Sequence, residues 1–317
     1  MIELLESLVR GVGLGGMYAL IAVGFVIIYR ATGVLNFAQP IFMILGTYIS
    51  FTIVDTLGLP FPVGVAGAII AVAAIAMGCE RAVMRPMVGR PPFAAALVTI
   101  GLFAAGLVVT AKLFGPSVIT SGDPWGLGNF CIGGERPADA VEIPGIPLPC
   151  QDGLAINYTD IFKIVTAAVV IGLLGAWLAR SRYGLAMRAT AMDQEAAMAQ
   201  GISAGRIFSL SWAIAGALAA VGGILVGTAA GGVAAAAALV ALKALPAIII
   251  GGLDSIKGAV IGGLIVGVAE ALTKTYQPDA APWLGANFDV VMPYVLMFVV
   301  LLVQPYGLYG TKEVQRV

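Results

Sequence analysis

From Gly11 to Tyr29 the chain carries no charged side chain, and the run GVGLGGMYALIAVGFVIIY is close to long enough to cross a bilayer alone. A hydrocarbon layer about 30 Å thick needs roughly 20 mostly apolar helical residues, because backbone polar groups inside it must bond internally. Comparable runs extend over Leu8 to Tyr29, Asn36 to Val54, Phe61 to Cys79, Phe93 to Phe114, Ile161 to Ala179, Ile207 to Gly227, Ala234 to Gly252, Gly258 to Thr273 and Phe288 to Val303. The pattern predicts an all-α polytopic membrane protein with eight or nine transmembrane helices, some broken or re-entrant. The count turns on the seventh and eighth runs, where PAIIIGGLDSIKGAVIGG reads as a helix interrupted at Gly251, Gly252 and Asp254. Only 11% of the 317 residues are charged, against about 25% in soluble domains. Net charge is formally zero and histidine is absent. Nothing here attracts nucleic acid, and imidazole chemistry is not available.

Charge sets the expected orientation. Arg81, Arg85 and Arg90 follow the third run, and Arg180, Arg182, Arg188 and Arg206 surround the polar segment after the fifth. By the positive-inside rule both segments face the cytoplasm. The stretch at about 115–160 carries Asp123, Glu135, Asp139, Glu142, Asp152 and Asp160 against Arg136, so it belongs outside. Nine spans then put the acidic start outside, with the first helix retained rather than cleaved, and the Lys312 to Arg316 tail inside. The outer stretch is rich in Gly and Pro and predicts an irregular cap held by turns. It contains Cys131 and Cys150, a disulfide candidate in an oxidising compartment and free thiols otherwise.

Several motifs have plainer readings. GVGLGG fits the dinucleotide pattern, but no strand precedes it, and its glycines suit close helix packing, as do Gly258 with Gly262 and Gly263 with Gly267. No phosphate-binding loop of the G-x-x-x-x-G-K-[ST] type occurs, so nucleotide energy would have to come from another chain. Asn36 and Gln39 interrupt an apolar context just before Pro40. Asn36 suits a helix N-cap, and polar groups at this depth also suit a pathway lining. Glu270 and Lys274 have the spacing of a favourable helical pair. Lys243 and Lys257 can snorkel to an interface, and Asp254 can cap the half-helix that follows it.

The segment MDQEAAMAQG, Met192 to Gly201, is different in kind. Its good helix formers from Ala191 to Gln200 and a glycine stop predict a short helix, too short to be stable alone in water. It requires a partner surface. Glu195-Ala196-Ala197 followed by Gly201 matches E-A-A-x-x-x-G, and this resembles the cytoplasmic loop signature of bacterial ABC importer permeases, without the later I-x-L-P part. The blocks LGGMYALIAVGFVIIYRATGVLNFAQPIFMILGTYIS and PAIIIGGLDSIKGAVIGGLIVGVAE are similar to those of the branched-chain amino acid permease family, with its urea and amide relatives. The likeness covers nearly the whole chain except the outer loop, which is longer than usual. Gln39 stands where the family commonly has His.

The resemblance implies a single transmembrane permease domain over 1–317, with an extracytoplasmic loop at about 115–160 and a cytoplasmic coupling-helix loop at about 181–206. It implies a subunit of an ATP-driven uptake system for branched-chain or other hydrophobic amino acids in a bacterial inner membrane. Implied partners are the lipid bilayer, a homologous second permease, identical or different, two cytoplasmic ATPases and an extracytoplasmic solute-binding protein. ATP and Mg would sit on the ATPases, with no cofactor on this chain. Asp193, Glu195, Ala196, Ala197, Gly201 and Arg206 would couple to the ATPase. Asn36, Phe37 and Gln39, with Thr99 and Glu270, would line the path. Urea, short amides or aromatic acids are alternative solutes. A stand-alone secondary transporter would need an internal repeat and buried acids, for which Asp254 and Glu270 are thin. An intramembrane enzyme would need an activating partner for Ser209 or Ser211.

Overall fold

A computed structural model describes residues 2–115, 128–134, 150, 153–228 and 241–311. Its helices are α1 (Ile2–Thr32), α2 (Gln39–Phe51), α3 (Phe61–Cys79), α4 (Pro92–Phe114), α5 (Tyr158–Arg180), α6 (Arg182–Met192), α7 (Gln194–Ala199), α8 (Ala204–Gly227), α9 (Ala244–Gly251), α10 (Ile256–Ala280) and α11 (Met292–Val303). Six helices among the described residues are long and apolar enough to cross a membrane, and α11 is a shorter apolar helix. The chain is a polytopic helical membrane protein, as the apolar runs predict.

α1 sits in the middle. A helix that is apolar on every side has no face for water, and from Gly15 to Ile28 every residue of α1 is buried. α10, α8, α5 and α9 surround it. Antiparallel contact with α10 is set by small residues four apart on both helices. A Cβ added at Gly11 would lie 2.7 Å from Val268 Cα, one at Gly15 2.7 Å from Leu264 Cα, and one at Gly263 2.7 Å from the Ala19 amide. Backbones meet with no side chain between them. In a bilayer, where lipid tails are as apolar as leucine, this packing supplies the helix-to-helix attraction. The opposite glycine pair, Gly258 and Gly262, faces Gly251 and Ala247 of α9.

The break after α9 is a close-packed turn. Gly252 ends α9 at φ 107°, and a Cβ there would strike the backbone of Gly310. The carbonyls of Ile250 and Gly251, left without helical partners, accept the N–H groups of Leu308 and Tyr309 at 2.8 and 2.9 Å. Ser255, rather than Asp254, caps α10 by accepting the Gly258 amide, while Asp254 accepts the Thr311 amide.

α2 and α3 pack on α8, with α4 outside them. Phe93 of α4, 74% exposed, and Leu173 of α5, 68% exposed, mark apolar outer faces that a bilayer covers.

Several boundaries depart from the sequence reading. α2 starts at Gln39, not Asn36, and Phe288–Val290 forms a 3-10 turn ahead of α11. In place of a purely irregular cap, Asn129–Ile132 and Leu154–Asn157 form an antiparallel pair, β1 and β2, in the register Asn129↔Asn157 to Ile132↔Leu154. Cys131 and Cys150 are joined as a disulfide, with Cα atoms 5.7 Å apart. The Glu6 carboxylate accepts the Ala155 amide at 2.7 Å, which ties the strands to the start of α1. The span at 234–240, most of the acidic outer stretch and the Lys312 to Arg316 tail lie outside the described residues.

Candidate functional site

Two polar features stand apart from the apolar bundle. The first is the α6–α7 segment. Asp193 closes α6 and opens α7 in extended conformation, its side chain accepting the Ala196 amide at 2.9 Å. The predicted single helix from Ala191 to Gln200 is therefore two, because a residue whose side chain caps one helix cannot continue another. At the far end Gly201 adopts φ 82°. Its amide donates to Met198 O, and that of Ile202 to Ala197 O at 3.1 Å, the paired bonds of a left-handed helix stop. Both ends of a six-residue helix are thus fixed chemically. Ala197 is buried beneath it, while Glu195, Ala196, Met198 and Gly201 are exposed. Met192 is 90% exposed just ahead of it, and Arg206 is exposed in the first turn of α8.

Asp193→Ala removes that cap at a cost of about 1 kcal/mol. Amide exchange from Gln194 to Ala197 should quicken roughly fivefold by hydrogen–deuterium exchange, while α8 keeps its protection. Unchanged exchange would mean that the cap does not hold α7.

The base under α7 is braced to the bundle. Ser181 caps α6 by accepting the Gly184 amide. Tyr183 Oη donates to Ile207 O at 3.2 Å, lies 2.7 Å from Ser211 Oγ, and its ring stacks on Trp177. Burial pushes the Tyr183 phenol up to about 12, so it stays protonated and able to donate. Arg85, beyond the end of α3, donates to Gly205 O at 3.0 Å and Ser209 Oγ at 2.8 Å and pairs with buried Glu80 at 3.2 Å. Ser209 Oγ also donates to Glu80. Ser209 and Ser211 thus serve bracing. One carboxylate, Glu80, among three arginines is the weak sign of this cluster in the sequence.

The second feature is the break between α1 and α2. The Asn36 carbonyl oxygen Oδ1 accepts the Ala38 amide at 3.0 Å, a local turn rather than a helix cap. The Phe37 amide donates to Thr99 Oγ1 of α4 at 3.0 Å, and Thr99 donates to Ala96 O at 2.7 Å. Gln39 Nε2 reaches Ala215 O of α8 at 2.9 Å. Asn36, Phe37, Gln39 and Thr99 are therefore brought together. Asn36, Gln39 and Thr99 are buried inside the protomer and Phe37 is half-buried. Asn36 Nδ2 and Gln39 Oε1 make no hydrogen bond among the described residues.

Glu270 is elsewhere. Its two oxygens accept Tyr18 Oη at 2.8 Å and Lys243 Nζ at 2.7 Å. The sequence pairing with Lys274 is replaced. Glu270 and Lys243 are both nearly buried, and a desolvated carboxylate needs a desolvated cation, whereas Lys274 is exposed.

With this geometry in place, the sequence over residues 7–301 matches the model described as "Branched-chain amino acid transport system / permease component". The chain belongs to that permease family. It is 31% identical to the high-affinity branched-chain amino acid transport system permease protein LivH of Salmonella typhimurium, over 99% of this chain and 97% of the relative. The counterpart BraD of Pseudomonas aeruginosa is also 31% identical, over 99% and 98%. The probable LivH of Methanocaldococcus jannaschii is 29% identical over 95% and 91%. In this permease the α6–α7 loop and the α1–α2 break both fall within the matched span.

Proposed function

We propose that the chain is one of two permease subunits of an ATP-driven uptake system in a bacterial cytoplasmic membrane. α7 docks on a cytoplasmic ATPase, and an extracytoplasmic solute-binding protein delivers solute at the end that carries β1 and β2. A homologous permease completes the pathway. The solute is a branched-chain or similar hydrophobic amino acid, the class for which its relatives are named. ATP and Mg belong to the ATPases.

One observation carries this reading: α7 is a helix of six residues fixed at both ends yet exposed along Glu195, Ala196 and Met198. An isolated helix of that length is not stable in water, and its exposed methionine side chain suits a protein groove. The basic residues Arg182, Arg188 and Arg206 around it support a cytoplasmic position. We assign Asn36, Phe37, Gln39 and Thr99 to the solute path, since Asn36 Nδ2 and Gln39 Oε1 are spare hydrogen-bonding atoms. Glu270, with both oxygens engaged, instead holds α1, α9 and α10 together.

Glu195→Lys places a cation where the docking surface now has a carboxylate. Gly201→Trp forces a bulky side chain into φ 82°, a left-handed conformation that costs roughly 1–2 kcal/mol. In proteoliposomes containing the complete transporter, both variants should insert normally and lose uptake at least tenfold while ATP hydrolysis continues. Wild-type uptake by both would overturn the docking role of α7.

A further inference from the structure

A cavity of about 400 Å³ lies between the last turn of α1, the end of α5, the body of α6 and the turn from α9 to α10. Its charge is lopsided: Arg30, Arg188 and Lys257 face it, against one carboxylate, Asp254. Asp254 already accepts the Thr311 amide through both oxygens. Arg188 spends one long bond, 3.3 Å, on the Leu178 carbonyl. Among the described residues neither Arg30 nor Lys257 makes a side-chain hydrogen bond or an ion pair. Arg30 is nevertheless only partly exposed, and it lies within electrostatic range of both Asp254 and Arg188.

The cavity floor adds to this charge. Ser255 and Ile256 line it at the start of α10, a helix of 25 residues. The first-turn amides there have no helical acceptors and carry the positive end of the helix dipole. Ser255 takes up the Gly258 amide only. Arg and helix N-terminal amides together favour tetrahedral oxyanions. Leu178 and Met187 make the adjoining wall apolar.

We propose that this cavity binds a phosphate oxyanion, held by Arg30, Arg188 and Lys257 over the first turn of α10. Its source is either the headgroup of an anionic phospholipid, whose chains the apolar wall accommodates, or a soluble phosphate compound. Arg188 belongs to α6, which leads directly into α7, so an occupant joins the coupling segment to the central helix.

The test uses the complete transporter in nanodiscs of phosphatidylcholine, with or without phosphatidylglycerol, for wild type and for Arg30→Gln, Lys257→Gln and the double variant. Retained phosphatidylglycerol is counted by native mass spectrometry, and protection by inorganic phosphate is read as a rise in Tm. Each cation removed should weaken retention or protection roughly fivefold. Stepwise loss of phosphatidylglycerol identifies the lipid as the source. Stepwise loss of phosphate protection in pure phosphatidylcholine identifies a soluble compound. Equal retention and protection in wild type and variants, or neither in wild type, would overturn the proposal. Lys257 is exposed and has no ion-pair partner among the described residues, so its variant stays informative if Arg30→Gln does not fold.

Discussion

Leucine at position 267 should leave almost no folded permease. Gly267 lies on the face of α10 that meets α1, and even a single Cβ there would collide with the backbone of Gly15. Intrinsic helix propensity alone favours Leu over Gly, by less than the roughly 1 kcal/mol that separates Gly from Ala. Overpacking a tight core costs typically about 1–3 kcal/mol and sometimes more, and here the obstacle is backbone, which no rotamer change relieves. The collision wins, and α1 must move away from α10 along the whole small-residue seam. Gly101→Leu on α4 is the matched control, because a Cβ there meets nothing within 4 Å. Fluorescence-detected size exclusion of detergent extracts should show the monodisperse peak lost for Gly267→Leu and kept for Gly101→Leu. A normal peak for Gly267→Leu would show that the seam does not set the helix spacing.

Lys243→Ala is the second large effect. It leaves the Glu270 carboxylate in an apolar interior with Tyr18 as its remaining donor. Removing one member of a buried ion pair costs about 3–5 kcal/mol, whereas replacing both by apolar residues of similar volume is near neutral. Lys243→Met with Glu270→Met should therefore recover most of the stability that Lys243→Ala loses. A double-mutant cycle on thermal stability in detergent measures the coupling. Additive losses would mean that the pair contributes no mutual stabilisation. Full transport by the double variant would agree with a structural role for Glu270, and lost transport in a stable double variant would return it to the solute path.

Much of this protein was legible in its sequence. Long uncharged runs dictate helices and a bilayer, because backbone groups in hydrocarbon have no other way to be satisfied. Gly251 and Gly252 announced the break before α10, and Gly263 and Gly267 announced a close helix contact. Gly201 announced the stop of α7, because left-handed glycines act within a few residues of themselves, whereas Asp193, read as helix interior, is the cap that opens it.

What only tertiary structure decided are the choices between partners distant in the chain. Spacing alone offered Lys274 to Glu270, but burial selected Lys243, 27 positions away. Asn36 looked like a cap until α4 supplied Thr99 to the neighbouring Phe37 amide and α8 supplied Ala215 to Gln39. Ser209 became a brace once the end of α3 brought up Glu80 and Arg85, and Ser211 once α6 brought up Tyr183. Local signals follow from short-range sterics and hydrogen bonding, which sequence spacing encodes. The cost of an unpaired polar group depends on what surrounds it, and that is fixed only when the helices pack.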